Sequence, residues 1–458
     1  MEKQQELPQG WELIAIGALS SSKNGIVDGP FGSNLKTSDY IEDRINGVPV
    51  LTTKNLEGDY SPEKVRFVSQ DKFQELKRSQ VNGGDILVAK IGSIGKSGIY
   101  PKGYPTALIP ANLIKITLDD EQLLKYIYYH INSQGFQDLI KSISKATAQP
   151  AFNVSQFRTL PIPLPPLPEQ RRIVAKLEEL FSKLDAGVAA VRRTQALLKR
   201  YRQSVLHAAV TGELTRAWRE AQVSLGRDES QLVWKETTIG DVTHNLDNKR
   251  KPVSKKIRAE GDGTYPYYGA NGQTGSIDDF IFDEDLVLVV EDETFVGRIK
   301  PFCYKISGKT WVNNHAHVLK AKEALTTDYL NYSLSYYPFT PLTTGSTGRK
   351  KLTKAALTGA PYQLPSLDEQ HKIVAEVERC ISVIDALELT LDDELKRAER
   401  LRQSILHRAF TGRLVPQDAT DEPAAALLAR LREAPAAPAK TKAGRERKAV
   451  AQQTTLGL

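Results

Sequence analysis

At 458 residues, with 40% apolar and 26% charged side chains, the chain is too long for one core and has the balance of a globular protein, not a fibrous or disordered one. A net charge of +7 is compatible with an anionic partner such as nucleic acid without requiring one. Two cysteines, Cys303 and Cys380, exclude a disulfide framework, and no signal-like N-terminus or apolar run of about 18 residues occurs, so the expectation is a cytoplasmic protein with no membrane partner.

Residues 1–163 read as one α/β unit. Val48–Leu51, Asp85–Ala89 and Leu113–Ile116 have the composition of strands, Leu123–His130 that of a helix, and Gly-rich connectors separate them. Residues 164–215 open with Leu164-Pro165-Pro166-Leu167-Pro168-Glu169-Gln170 and continue as a long helix. Residues 216–363 repeat the layout of the first unit more than its letters. Trp234 and Ile239-Gly240 echo Trp11 and Ile16-Gly17, Glu284–Leu288 echoes Gly84–Val88, and Asp328–Tyr336 reads as the matching helix. Residues 364–415 form a second long helix, opened by Leu364-Pro365-Ser366-Leu367-Asp368-Glu369-Gln370. Beyond that, residues 416–458 turn rich in Ala, Pro and Lys. A short helix is expected over Ala424–Leu431 and a disordered tail from Ala437.

The two long segments are copies. At a shift of 200 positions, 22 of the 51 residues from 164 to 214 are identical, far above chance. Apolar residues recur every seven positions, at Leu177, Leu184, Val191, Leu198 and Val205, and again at Val377, Ile384, Leu391, Ala398 and Ile405. Ile173, Leu180 and Tyr201, and Ile373, Cys380, Leu387 and Leu401, supply a companion row that Gly187, Thr194 and Glu394 interrupt. Two such rows describe a coiled-coil seam, and two copies in one chain can satisfy each other as an antiparallel pair. Gly212 and Gly412 fit left-handed helix ends. Each helix should run about 38 residues, or ~55 Å. The fold expected is therefore two α/β (α+β) domains alternating with two long helices that form an antiparallel coiled-coil spacer, an internal pseudo-twofold repeat.

Motifs for covalent chemistry are missing. Gly92-Ser93-Ile94-Gly95-Lys96-Ser97 ends like a phosphate-binding loop but has Lys90 where the first glycine is needed. His315-Ala316-His317 with Cys303 lacks a fourth metal ligand at recognisable spacing, so no metal is expected. No Asn/Asp-Pro-Pro-aromatic motif of an amino-methyltransferase and no convincing metal-nuclease set occurs, and no catalytic residue is assigned. His207 and His407 sit near helix C-termini, where the dipole favours them.

Polar loops are the better signal. In the first unit they carry Thr53, Lys54 and Asn55, then Lys90, Ser93 and Lys96, then Lys145 and Gln149. In the second they carry Lys249, Arg250 and Lys251 with Lys255-Lys256, then Tyr268 and Asn271, Asn313 and Asn314, and Thr347, Arg349, Lys350 and Lys351. Lys and Arg neutralise phosphates, Asn and Gln make paired bonds to adenine, and Arg does so to guanine. These residues are the candidate DNA contacts.

Together, the paired Leu-Pro-x-Leu-x-Glu-Gln motifs, Leu198–Leu206 with Thr211–Thr215, and Arg402–Leu406 with Thr411–Leu414 resemble the specificity subunits of Type I restriction–modification enzymes. The resemblance implies that each globule is a target-recognition domain for one half of a split double-stranded DNA site. It implies that the helices fix the gap between the halves. It further implies partners: two adenine-N6 methyltransferase subunits bringing S-adenosylmethionine, and restriction (translocase) subunits using ATP and Mg, with no cofactor bound by this chain. A free-standing two-headed DNA-binding regulator would have the same layout. A methyltransferase gene beside this one would separate the two.

Overall fold

The computed structural model describes residues 7–20, 25–30, 33–58, 60–118, 120–144, 150–254, 263–293, 295–298, 300–347 and 349–433. Lys145, Gln149, Lys255, Lys256 and the expected tail from Ala437 lie outside the described residues. The chain divides into two compact units, Met1–Val188 with Lys396–Leu458, and Ala189–Leu395. Both divisions fall inside the long helices, Leu167–Val210 and Leu367–Phe410. Each is 44 residues long, more than the expectation, because it continues to within two residues of Gly212 or Gly412. Both glycines adopt positive φ, 75° and 68°, the left-handed geometry that ends a helix.

In the first unit, four antiparallel strands stand in the order Ile26–Asp28, Leu113–Ile116, Ile86–Ala89, Ser97–Ile99. Every residue of Ile86–Ala89 and Leu113–Ile116 is buried, as the apolar run predicts for the first strand, while the second buries Lys115 among its apolar neighbours. The helix Glu121–Ile131 joins the same core through Leu123, Tyr126 and Ile127. A ribbon of Glu12–Ala15 with Pro161–Leu164 delivers the chain into the long helix.

The second unit rebuilds this frame with Thr243–Asn245, Ala316–Ala321, Leu286–Val290 and Cys303–Ile306, the helix Thr327–Ser335, and a ribbon of Lys235–Thr238 with Pro361–Leu364. The additions differ. The first unit has a five-stranded sheet of short strands between Tyr40 and Leu108, and the second a hairpin of Tyr265–Gly269 with Gly272–Ile277.

The repeated Glu-Gln pair is a latch. Trp11 Nε1 donates to Glu169 Oε2 at 2.9 Å, and Trp234 Nε1 donates to Glu369 Oε2 at the same 2.9 Å. Gln170 and Gln370 turn their amides back onto the Pro165 and Pro365 carbonyls, at 2.8 and 2.9 Å. All four are buried, so each helix start is pinned to its own domain by bonds shielded from water.

Residues 416–433 are not a loose tail. The helix Ala424–Glu433 puts Ala424 and Leu428 into the first unit's core, the Ala424 amide donates to the Gly10 carbonyl, and Arg172 pairs with Asp421 at 2.6 Å. Residues 213–232 hold the same place in the second unit, where Thr215 and Arg219 both bond Glu369.

Each unit contains a segment of both long helices, running antiparallel. In the second unit Gln195 bonds Asp392 at 2.7 Å, and Arg202 pairs with Asp385 and Glu388. In the first unit Arg402 pairs with Asp185 and lies over the Phe181 ring. The seven-spaced seam row is buried or half-buried at all ten positions. The companion row expected from sequence holds at one end only: Ile173, Ile373 and Cys380 are buried and Leu180 half-buried, but Tyr201, Leu387 and Leu401 are 53%, 46% and 49% exposed. The covered row is the other flank, Phe181, Val188, Gln195 and Arg202 with Ile381, Glu388, Leu395 and Arg402. Half of these are polar and are kept at the seam by their partners across it, which an apolar count misses.

Candidate nucleic-acid interface

In the first domain, the loops singled out from sequence meet at the end of the strand Ile86–Ala89. The Lys90 amide donates to the Asn112 carbonyl, and the Lys90 carbonyl accepts from the Phe152 amide. Ile91 bridges Ala151, and Lys96 pairs with Glu57 of the 3-10 turn Thr53–Glu57. Lys54 and Ser93 are exposed there, while Thr53 and Lys96 are half-buried. Two candidates have structural duties instead. Lys90 is 6% exposed and pairs with Asp28 at 2.6 Å, with Arg78 3.7 Å from the same carboxylate. Asn55 is fully buried and its Oδ1 accepts from the Thr52 amide and hydroxyl. The Gly92–Lys96 turn also uses its own donors: the amides of Ile94, Gly95 and Lys96 bond the carbonyls of Gly92, Ala89 and Ser93. The free amides that a phosphate cradle needs are thus largely spent.

In the second domain the loops converge on Glu291, just past the strand Leu286–Val290. Its amide donates to the His315 carbonyl and its carbonyl accepts from the Leu352 amide. Its carboxylate pairs with Arg250, and with Lys351 at 3.2 Å. The buried His317 places Nδ1 2.5 Å from Asp247 Oδ2 and Nε2 2.8 Å from the Leu352 carbonyl. Both ring nitrogens of this buried side chain are therefore engaged within the domain. Burial raises the Asp247 pKa, but His317, the Val318 amide and Asn245 together outweigh it and leave the carboxyl below its ordinary value. Ligand atoms of Asp247, Glu291 and His317 lie within 4.8 Å of one another. The protein's own Arg250 and Lys351 already neutralise that pocket of charge.

Around this hub, Lys249, Lys251, Asn271, Asn314, His315 and Lys351 are exposed, and Tyr268 and Lys350 are half-buried. Arg250 is not an open contact, because its guanidinium bonds Glu291 and the Ala316 carbonyl. Asn313 is 9% exposed and accepts from the His315 amide. The backbone of Thr347 and Arg349 lies in a small sheet with Asp292–Glu293. Arg298, absent from the sequence-derived set, bonds Asn271 Oδ1 at 2.8 Å, and no local pattern flags it. The outcome is two clusters of basic and amide-bearing loops, each at the end of the central strand of its domain's sheet. Exposed Lys side chains are the chemistry that neutralises phosphates, and exposed Asn side chains the chemistry that hydrogen-bonds base edges.

Two α/β domains carrying divergent polar loops on a repeated frame, interleaved with long helices, define a DNA-reading class of protein. The family model for the Type I restriction modification DNA specificity domain matches residues 8–189 and again 232–397. The chain belongs to this family, whose role is DNA-sequence specificity and not catalysis. It is 24% identical to the Type I restriction enzyme StySPI specificity subunit of Salmonella potsdam, covering 93% of this chain and 96% of that one. It is 26% identical to the EcoBI specificity subunit of Escherichia coli, covering 95% of each. Among solved structures, a chain from a study of complex assembly and conformational transition in a type I R-M system matches with TM-score 0.61 at 19% identity. That match covers 89% of this chain and 100% of the other. Among the described residues no helix is long and apolar enough to cross a membrane.

Proposed function

We propose that each domain reads one half of a bipartite double-stranded DNA site, the first through the loops around Lys90 and the second through the loops around Glu291. The observation that carries this reading is the contrast within one chain: the same sheet, latch and helix entry present different polar residues at the same strand end. The domain limits proposed are residues 1–163 and 216–363, with spacer regions 164–215 and 364–415. Helix length sets the unspecified gap, since two major-groove readers need at least one turn of duplex, about 34 Å, between them. Two adenine-N6 methyltransferase subunits dock on the helices, where Tyr201, Leu387 and Leu401 offer exposed apolar surface. They bring S-adenosylmethionine and flip the target adenine, and restriction subunits add ATP- and Mg-dependent translocation and cleavage.

The test is long-read methylation sequencing of a host carrying this gene with its neighbours, beside a deletion of this gene alone. Loss of N6-methyladenine at one split motif in the deletion is the expected result. Identical methylation in both would favour a free-standing DNA-binding regulator.

A further inference from the structure

The second unit has a cavity of about 260 Å³ between the last turns of the helix Leu167–Val210 and the helix Thr327–Ser335. Its wall includes Leu206, Val210, Tyr329, Tyr332, Tyr336 and Tyr362. An apolar cavity of ~150 Å³ already holds a benzene ring, so this one has room for an aromatic side chain.

The first unit shows what belongs there. Position 210 corresponds to position 410, the last residue of each long helix, and the first unit has Phe410 where the second has Val210. The Phe410 ring packs edge-on against Tyr126 at 5.3 Å and against His130 at 4.6 Å. Tyr126 and Tyr329 are counterparts, because their hydroxyls reach the carbonyls of the equivalent Pro163 and Gln363. His130 is then matched by the smaller Ser333, which also borders the cavity. Gln403 closes the first unit further by bonding the Asn132 carbonyl and the Gln134 amide. Its counterpart Gln203 instead lies exposed at the cavity's edge. The same seat is thus filled from within in one unit and open in the other.

We propose that this cavity is a socket for one aromatic side chain of a docking methyltransferase subunit, taking the place that Phe410 fills in the first unit. The proposal rests on the scaffold reading above. Because only one unit carries the socket, only one of two docking events uses it.

The test is Val210→Phe in the full chain, with Val210→Leu as a milder filling should the first variant fold poorly. Circular dichroism and thermal unfolding check that each variant is folded. Two readouts follow. The probe 4-fluorophenol, followed by fluorine NMR line broadening, should bind the wild type and lose binding at least tenfold in the filled variant. Calorimetric titration with the purified methyltransferase subunit should show one of two binding steps weakened at least tenfold. Unchanged probe binding in a folded variant overturns the socket. Lost probe binding with both docking steps intact overturns the methyltransferase as its occupant. If the wild type binds the probe but no methyltransferase subunit, the scaffold reading fails while the aromatic socket stands.

Discussion

Lys90 and Glu291 occupy one seat in two domains. Each donates its amide to the carbonyl just before the neighbouring strand, Asn112 or His315, and its carbonyl accepts an amide from the segment returning to the helix, Phe152 or Leu352. Asp28, opposite Ile114, corresponds to Asp247, beside His317. The first domain balances this place with a cation on an anion, Lys90 on Asp28. The second inverts the seat to an acid, Glu291, which pairs with Arg250 and Lys351. The backbone at this seat is the same in the two copies while its electrostatics are rebuilt. Under the proposed function, this is how a constant frame would serve two different half-sites.

Charge inversion at that seat breaks the comparison hardest. Lys90→Glu would bury two acids against each other, and loss of a buried partner costs about 3–5 kcal/mol. Denaturant unfolding should show this loss with recognition of one half-site abolished. A smaller effect separates the domains by pH. Burial drives His130 down to about 3, whereas Ser333 in the second domain does not titrate. A folded pKa below the unfolded one means that the unfolded state alone takes up the proton as pH falls below ~6.5. Stability is then lost at about 1.4 kcal/mol per pH unit until the folded pKa is reached. Unfolding at pH 6.5 and pH 5 should differ by ~2 kcal/mol more in the wild type than in His130→Leu.

The latches sharpen the comparison next. Trp11→Phe removes the indole donor from buried Glu169 and should cost about 1–3 kcal/mol. Trp234→Phe should cost less, because Thr215 and Arg219 still bond Glu369. Thermal unfolding of the two variants gives the order directly. The smallest effect lies on the surface: Lys249→Ala or Lys251→Ala should weaken DNA binding evenly across sequences and reduce the salt slope by about 1 each. A change confined to one motif would instead make that lysine a base reader.

The frame was legible because it is written twice. The strands Ile86–Ala89 and Leu113–Ile116, both long helices and both glycine caps follow from apolar period and repeat. The seam's second row was misread because Gln195, Arg202 and Glu388 hold it with polar bonds. In the candidate interface, Lys54, Ser93, Lys249, Lys251 and Asn314 are exposed and so accessible to a ligand. Lys90, Asn55, Arg250 and Asn313 looked the same in sequence but are held by intramolecular partners. Asp28 lies 62 positions from Lys90 and Glu291 lies 41 from Arg250, so no local window shows them. The latches could have been found: Trp11 and Trp234 repeat alongside Glu169 and Glu369, and a repeated donor with a repeated buried acid is a pairing signal.

The most direct measurement exchanges residues 216–363 for the corresponding domain of a relative and reads the methylated motif genome-wide by long-read sequencing. The account predicts that one half of the split motif changes while the other half and the gap stay fixed. A change in both halves, or in neither, would contradict the assignment of one domain to each half.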